Sequence, residues 1–258
     1  MPAPSALWRG LMDGCHLMCR NASGYEAHLL RDSGQILTGE PHADMNFAFI
    51  GSPSETARHL WLFHERAATR GLPMIVLSPP DTAEHLTAEA ESLGYVPAGE
   101  VPLMVCLDPD PGPASHPYVI ENIDDPALLS ESTPVSARAF GLPDAAVVRV
   151  YNPDSLAMSG VDYFIARRDG EVWSFVQTTR IGAQVGIWAM ATAPEYRGQG
   201  AGRALLEAVL THHRRHGAEL FYLMASSAGQ RLYEQVGFHE TSRLASWLSG
   251  SSAQLGAG

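Results

Sequence analysis

Residues 187–238 read IWAMATAPEYRGQGAGRALLEAVLTHHRRHGAELFYLMASSAGQRLYEQVGF. The run Ile187–Thr192 is apolar and is followed by Pro194, which predicts a buried strand. A glycine-rich turn comes next, and apolar residues then recur at helical spacing up to Gly217. A second apolar run and a second helical pattern complete the stretch. The order strand, turn, helix, strand, helix predicts mixed α/β structure.

The turn has three glycines at alternate positions, Gly198, Gly200 and Gly202, directly before the helical pattern. Residues without a Cβ let a polyanion approach the backbone closely. The first amides of the following helix lack intrahelical acceptors and lie at the positive end of the helix dipole. Arg197 and Arg203 flank the turn and are expected to add charge-assisted bonds. This combination predicts a diphosphate-binding site.

The spacing differs from both common phosphate motifs. A P-loop needs four residues between its glycines and then Lys and Ser/Thr, and the dinucleotide fingerprint needs G-x-G-x-x-G. Arg197-x-x-Gly200-x-Gly202 instead resembles the R/Q-x-x-G-x-G/A signature of the GNAT acyltransferase superfamily, where it binds the pyrophosphate of acetyl-CoA. By itself the motif is also compatible with a simple tight turn before a helix.

The second half of the stretch strengthens the resemblance. Residues 226–238 resemble the GNAT segment N-x-x-A-x-x-L-Y-x-x-x-G-F, with Tyr233 at the tyrosine position and Gly237 at the glycine position. A glycine followed by an apolar residue is typical of a Schellman helix end. Ser226 replaces the usual Asn and Gly229 the usual Ala. Ser226 retains one hydroxyl, which is suited to bonding the pantetheine arm or to capping the helix.

The resemblance covers residues 118–245 and implies a fold, a cosubstrate and a site. The expected class is α+β (mixed α/β), with two GNAT-like domains that each have a central mixed, mostly antiparallel sheet flanked by helices. Acetyl-CoA is the implied cosubstrate, no metal is expected, and Tyr233 is the implied catalytic acid. The implied cofactor-binding residues are Met190, Ala191, Thr192, Arg197, Gly198, Gln199, Gly200, Ala201, Gly202, Arg203, Ser226 and Tyr233.

Acetyl transfer to an amine needs an oxyanion donor, a neutral amine and a proton for the leaving thiolate. A free tyrosine giving its proton to a thiol is uphill by about 2 kcal/mol, so the site must assist Tyr233 or use it as a hydrogen-bond donor. The strand 185–192 offers no carboxylate as a base. Glu171 and Asp162 remain as candidates, and each is also compatible with an exposed solubilising charge. The cluster His212–His216 lies at a helix C-terminus, where cations are favourable, and is not assigned to catalysis.

Composition limits the classes of partner. The 258-residue chain has a net charge of −11, which disfavours nucleic acid and anionic membranes as main partners. Its three cysteines form no closed disulfide set, and the chain shows no signal-peptide pattern, so a cytoplasmic location is expected. Cys15 and Cys19 are too few for a metal site. A small-molecule amine is the expected acceptor, and a homodimer is compatible with the sequence.

The first half of the chain repeats the order of elements seen in the second half. Gly71 lies 146 positions before Gly217, and Gly94 lies 143 positions before Gly237. At these offsets Glu55 falls within the glycine turn, where a carboxylate would repel a diphosphate. Residues 1–107 are therefore interpreted as a degenerate GNAT-like domain without CoA binding, and an unrelated α/β domain is the alternative.

The predicted domains are 1–107, a proline-rich linker 108–117, a GNAT domain 118–248 and a disordered tail 249–258. Helices are predicted at 4–20, 54–70, 82–93, 127–140 and 144–151, in addition to those of the opening stretch. Strands are predicted at 27–30, 35–38, 45–50, 73–77, 99–107, 118–122, 161–167, 171–179, 185–192, 219–225 and 241–247.

Two functions of different class follow from the sequence. The first is an acetyl-CoA-dependent N-acetyltransferase acting on a small amine. The second is a non-catalytic acyl-CoA-binding module, favoured by the Ser226 departure and by the degenerate first half. Retention of Tyr233 favours the enzyme. Within the enzyme class, a longer acyl group or a protein N-terminus as acceptor stays open.

Overall fold

The computed structural model describes residues 3–109 and 116–249. Its chain divides into two compact units, of which the first comprises the described residues 3–103 and 240–249 and the second comprises 104–109 and 116–239. Most of the predicted linker (110–115) and of the predicted tail (250–258) lies outside the described residues. No helix in the described part is both long enough and apolar enough to span a membrane.

The first unit combines helices with a mixed sheet. Its helices are α1 (Pro4–Cys19), α2 (Thr56–Thr69), α3 (Pro80–Ala83) and α4 (Thr87–Ser92). Its strands are β1 (Glu26–Leu29), β2 (Ser33–Leu37), β3 (Asn46–Ile50), β4 (Ile75–Ser78), most of β5 (Tyr95–Cys106) and most of β11 (His239–Ser249). The strands follow one another in the sheet as β1-β2-β3-β4-β11-β5. The register is described for four strand pairs of this unit. Of these four, β3–β4 is parallel and the others are antiparallel.

The second unit has the same kind of architecture. Its helices are α5 (Pro126–Phe140), α6 (Asp144–Val150), α7 (Ala201–Arg215) and α8 (Gln230–Gln235). Its strands are β6 (Val119–Asn122), β7 (Val161–Arg168), β8 (Glu171–Ile181), β9 (Gln184–Thr192) and β10 (Leu220–Met224), in the order β10-β9-β8-β7-β6. The β9–β10 pair is parallel and the other described pairs of this unit are antiparallel. The predicted fold class, a mixed and mostly antiparallel sheet flanked by helices, is confirmed.

Helix α7 covers one face of the second sheet. Leu205, Leu206, Val209 and Leu210 form its buried stripe, and they belong to one apolar core with Val176 of β8 and Phe221 of β10. The stripe has the helical spacing seen in the sequence. Burial of this stripe fixes the helix against β9 and thereby places the helix N-terminus at the end of that strand.

Local sequence signals position several chain reversals. Asp169 and Gly170 have φ of 55° and 84°, the left-handed pair that a two-residue hairpin turn requires between β7 and β8. At the end of α8, the Phe238 N–H donates to the Tyr233 carbonyl at 3.0 Å and the Gly237 N–H to the Glu234 carbonyl at 3.2 Å. These two bonds form the Schellman motif predicted from the sequence.

Three local expectations differ from the structure. The helix predicted at 54–70 begins two residues later, at Thr56, and Glu55 occupies its N-cap position. The helix predicted at 82–93 is interrupted, because i to i+3 bonds such as Leu86 N–H to Ala83 O (3.0 Å) tighten the chain between α3 and α4. The last strand was assigned to the second domain, whereas β11 pairs with β4 through residues 245–248 and therefore belongs mainly to the first unit.

Candidate active site

The parallel pair of β9 and β10 is open at one end. Its ladder joins residues 184–186 to 220–222, although β9 continues to Thr192 and β10 to Met224. Ala189 has a left-handed φ of 48°, and the β8–β9 register shifts at this point, so β9 contains a β-bulge. The bulge bends β9, and the two parallel strands separate beyond Gly186.

Gly186 marks the place where the ladder opens. A Cβ at this position would lie 2.6 Å from Trp188 Nε1 and 2.9 Å from Tyr222 Cζ. The two aromatic rings therefore lie directly over the Gly186 backbone, and the Trp188 indole N–H donates to Thr179 Oγ1 at 2.7 Å. Both rings are buried, so they form a rigid wall at the closed end of the opening.

The backbone of β9 directs amides into the opening. Ala193 N–H donates to the Trp173 carbonyl of β8 at 3.0 Å. Because peptide groups alternate along a strand, the N–H of Ala191 also points toward β8, and those of Met190 and Thr192 point toward the side that β10 has left. Of the three residues predicted as strand donors, Met190 and Thr192 therefore face the opening and Ala191 does not.

The three glycines of the turn have two different roles. Gly198 and Gly200 adopt φ of 76° and 92°, a left-handed conformation that favours glycine. Gly202 has no positive φ, but a Cβ there would lie 2.9 Å from Thr192 Oγ1 and 3.5 Å from Met190 Cε. Gly198 and Gly200 thus shape the turn, and Gly202 lets the start of α7 contact the end of β9.

The N-terminus of α7 is open to an anion. Gly200 is the N-cap residue and no side chain caps the helix. The first helical bond runs from Ala204 N–H to Gly200 O at 3.0 Å, so the N–H groups of Ala201, Gly202 and Arg203 have no intrahelical acceptor. With the positive end of a 15-residue helix dipole, these amides form the geometry of a phosphate site.

A residue that the sequence did not indicate fixes the turn. The Tyr118 hydroxyl donates to the Gln199 carbonyl at 2.5 Å, across 81 positions of the sequence. The bond orients the peptide between Gln199 and Gly200, whose N–H belongs to the predicted site. No local pattern around Tyr118 signals this role, because the contact depends on β6 lying next to the turn in three dimensions.

The two arginines of the motif already have protein partners. Arg197 donates to the Ala139 carbonyl at 3.0 Å and to the Thr192 carbonyl at 3.4 Å. Arg203 Nε lies 2.6 Å from Glu207 Oε1, and the Glu207 side chain is only 7% exposed. The positive charge of Arg203 is thus offset by a buried carboxylate.

Tyr233 lies at the end of α8 with 7% of its surface exposed. Its ring contacts Phe238 edge to face at a centroid distance of 5.9 Å. Burial raises the pKa of Tyr233 to about 12, so the phenol stays protonated at neutral pH. Within residues 3–109 and 116–249 its hydroxyl has no hydrogen-bond partner, and it is therefore free to donate to a ligand.

Ser226 is exposed and faces the beginning of α8. Its Oγ accepts from the Gly229 N–H at 3.2 Å, which is the capping role considered for it from the sequence. Its contact with a pantetheine arm stays a prediction.

The base candidates do not lie at the opening. Glu171 is exposed and accepts a hydrogen bond from the Tyr196 hydroxyl. Asp162 belongs to β7, which β8 separates from β9. His213 is buried against Thr178 Oγ1 at 2.9 Å, and burial lowers its pKa to about 4. His213 is therefore a neutral core residue at pH 7.

Comparisons with known proteins agree with this geometry. The family model of the acetyltransferase (GNAT) domain matches residues 159–240. The structure is similar to a GCN5-related N-acetyltransferase from Kribbella flavida (TM-score 0.71, 15% identity, 96% of both chains covered). It also resembles one from Sphaerobacter thermophilus (0.61, 18% identity, 84% of this chain and 76% of that one). A third is a GCN5-related N-acetyltransferase-like protein from Streptococcus suis (0.59, 13% identity, 96% and 99%).

No curated protein matches the chain. At the identities given above, the structural likenesses establish the fold. The residues that match the acetyltransferase (GNAT) domain model, 159–240, contain the bulge, the glycine turn and Tyr233. This match supports acyl transfer as the class of reaction.

Proposed function

We propose that the second unit is an acetyl-CoA-dependent N-acetyltransferase that acetylates the amine of a small molecule. The observation that supports this most is that the opening between β9 and β10 is adjacent to the N-terminus of α7. The opening between β9 and β10 presents the amides of Met190 and Thr192, and it leads directly to the uncapped N-terminus of α7 at Gly200. A linear molecule with a diphosphate at one end and a thioester at the other matches this arrangement.

In this proposal the backbone holds the cosubstrate. The N–H groups of residues 198–203 bind the diphosphate at the start of α7. Arg203 contributes little because Glu207 already binds its guanidinium. The pantetheine arm follows β9, and the Met190 N–H donates to the carbonyl oxygen of the thioester. One donor of this type increases the rate by about 10²- to 10³-fold, because it is strongest when that oxygen becomes an oxyanion.

The reaction requires no metal or covalent intermediate. The neutral amine attacks the thioester carbon, the C–S bond breaks, the amine nitrogen gives one proton to water and the thiolate takes one proton from water. Complete proton transfer from Tyr233, at a pKa of about 12, to a thiolate with a conjugate pKa of about 8.5 costs about 5 kcal/mol. Tyr233 therefore acts as a desolvated hydrogen-bond donor that stabilises the developing thiolate, which then takes its proton from water.

A thiol-release assay with acetyl-CoA and a library of small amines tests the proposal, together with calorimetric titration of CoA. Turnover with at least one amine, lowered about 100- to 1,000-fold by Tyr233→Phe, is the expected result. Stoichiometric CoA binding without turnover on any amine supports the acyl-CoA-binding module instead. Absence of CoA binding contradicts both. Repeating the assay with longer acyl-CoA thioesters and with N-terminal peptides tests the other acyl groups and acceptors.

A further inference from the structure

The backbone conformation at Gly229 does not require a glycine. Its φ of −88° and ψ of −23° are right-handed helical values that any residue adopts. Gly237, at the other end of the same helix, has φ of 98° and does need a glycine. The absence of a side chain at position 229 therefore has a steric cause.

The Tyr233 ring occupies the space that a side chain at position 229 would take. A Cβ there would lie 2.8 Å from Tyr233 Cε2, 3.4 Å from Tyr233 Cζ and 3.3 Å from Ser226 Oγ. Nonbonded carbon atoms prefer separations of about 3.5 to 4.0 Å. The ring thus packs directly on the Gly229 backbone, and even a methyl group would displace it.

The backbone of Tyr233 has no freedom to absorb such a displacement. Its N–H donates to Gly229 O at 3.2 Å, and its carbonyl accepts from Val236 N–H at 3.1 Å and Phe238 N–H at 3.0 Å. The main chain is therefore held from both sides. A Cβ at position 229 would rotate the Tyr233 side chain and move its hydroxyl.

We propose that Gly229 is a positioning residue that sets where the Tyr233 hydroxyl stands relative to the opening between β9 and β10. The inference rests on the proposed function, in which that hydroxyl meets the leaving thiolate. It also gives a reason why Gly229 replaces the alanine that is usual in the GNAT segment. An alanine side chain at position 229 would occupy the space that the Tyr233 ring takes here.

The test introduces Gly229→Ala into the natural chain and into the Tyr233→Phe background. In the natural chain kcat for acetyl transfer falls about 10- to 100-fold, as expected for a reacting group misplaced by a fraction of an ångström to an ångström. The KM for acetyl-CoA stays within about twofold, because the diphosphate site is untouched. In the Tyr233→Phe background Gly229→Ala has no further effect on kcat, since no hydroxyl remains to be misplaced.

Thermal unfolding provides the matched control. The Tyr233→Phe variant retains the ring carbons Cε2 and Cζ that meet the new methyl group. Gly229→Ala should therefore lower Tm by the same amount in both backgrounds, while only one background loses turnover. Ser227→Ala, an exposed change in the same turn, leaves Tm and kcat unchanged. An equal fractional loss of kcat in both backgrounds overturns the proposal, because it shows a general structural effect.

A second readout needs no enzyme activity. In a ¹³C-tyrosine NMR titration, the Tyr233 phenol of the Gly229→Ala variant titrates at a lower pH than in the natural chain, because a displaced ring is less buried. An unchanged titration overturns the positioning role. If the natural chain transfers no acetyl group at all, the proposed function fails, and this titration still decides whether Gly229 positions the ring.

Discussion

The two units contain the same kind of βαβ element, and the two elements differ in the features from which the candidate site is built. In the first unit β3 and β4 flank α2, and in the second β9 and β10 flank α7. Each pair is parallel, and the strand before it, β2 or β8, pairs antiparallel with its first member. Both helices end in the same Schellman bonds, at Gly71 and at Gly217.

The difference lies at the helix N-termini and in the ladders. In the first unit, Phe47–Phe49 of the five-residue β3 pair with β4 without a bulge, so the two strands stay together. The N-cap of α2 is Glu55, whose carboxylate lies 3.1 Å from His59 Nε2 and 3.3 Å from Arg58 Nη1. In the second unit the ladder opens and the N-cap is Gly200. The two units therefore share the order of strands and helix around this element, and they differ in the opened ladder and in the residue at the helix N-cap.

The interpretation of the first unit as a degenerate copy stays a prediction. The shared topology is compatible with it, and the matched GNAT domain lies in the second half of the chain.

Removal of the Tyr233 hydroxyl should leave the second unit, like the first, without a hydrogen-bond donor at this position. The position 143 residues before Tyr233 is Ala90, a buried alanine. Tyr233→Phe is expected to lower kcat by about 100- to 1,000-fold, because one preorganised hydrogen-bond donor to a developing charge contributes about 10² to 10³. The Kd for CoA, measured by calorimetry, should remain within twofold. A parallel loss of CoA binding contradicts the assigned role.

A glutamate at the N-cap of α7, like the one at the N-cap of α2, should abolish the proposed diphosphate site. Gly200→Glu places a carboxylate beside the expected phosphates and is expected to weaken CoA binding at least about 100-fold, from charge repulsion of roughly 3 kcal/mol. Gly182→Glu is the matched control, because Gly182 also has a positive φ (60°) and open space around it. If both variants bind equally well, the amides of the turn do not hold the diphosphate.

Low pH should destabilise the second unit through His213, whereas the residue at the corresponding position of the first unit does not titrate. His213 and Ala67 both occupy the last turn of their helices, 146 positions apart, and both are buried. Since the folded pKa of His213 is about 4 and the unfolded value about 6.5, the unfolded state binds the proton first. Stability is full above pH 6.5 and falls as the pH drops toward 4, by about 2 kcal/mol at pH 5. Denaturant unfolding at pH 7 and pH 5 measures this loss, which His213→Asn should reduce.

Removal of the acidic N-cap residue from α2 should not create a CoA-binding site in the first unit. Glu55→Gly in the Gly200→Glu background is expected to restore no CoA binding, because the β3–β4 ladder stays closed. The change in the free energy of unfolding should stay below about 1 kcal/mol, since the lost ion pairs are partly exposed. Recovery of CoA binding in this double variant would show that the first unit retains a latent site.

Two local features of the candidate site were predictable from short stretches of sequence. The glycine turn and the Schellman end at Gly237 depend on a few consecutive residues, and the structure contains both. The role of Tyr233 stays a prediction. The roles of the arginines were less predictable. Arg203 has a buried partner four residues away in Glu207, and Arg197 bonds to the distant Ala139 carbonyl.

The fold class, most helix ends and the glycine turn before α7 could be read from the sequence, because φ preferences and apolar periodicity act over a few residues. The structure was needed to locate the opening of the β9–β10 ladder, the N–H groups that face it, the bond from Tyr118 to the turn and the place of β11 in the first unit. Each of these depends on strands or side chains that meet across long separations in the chain. A bulge at Ala189 has no local signature, since its left-handed conformation is imposed on an alanine by the neighbouring strands and rings.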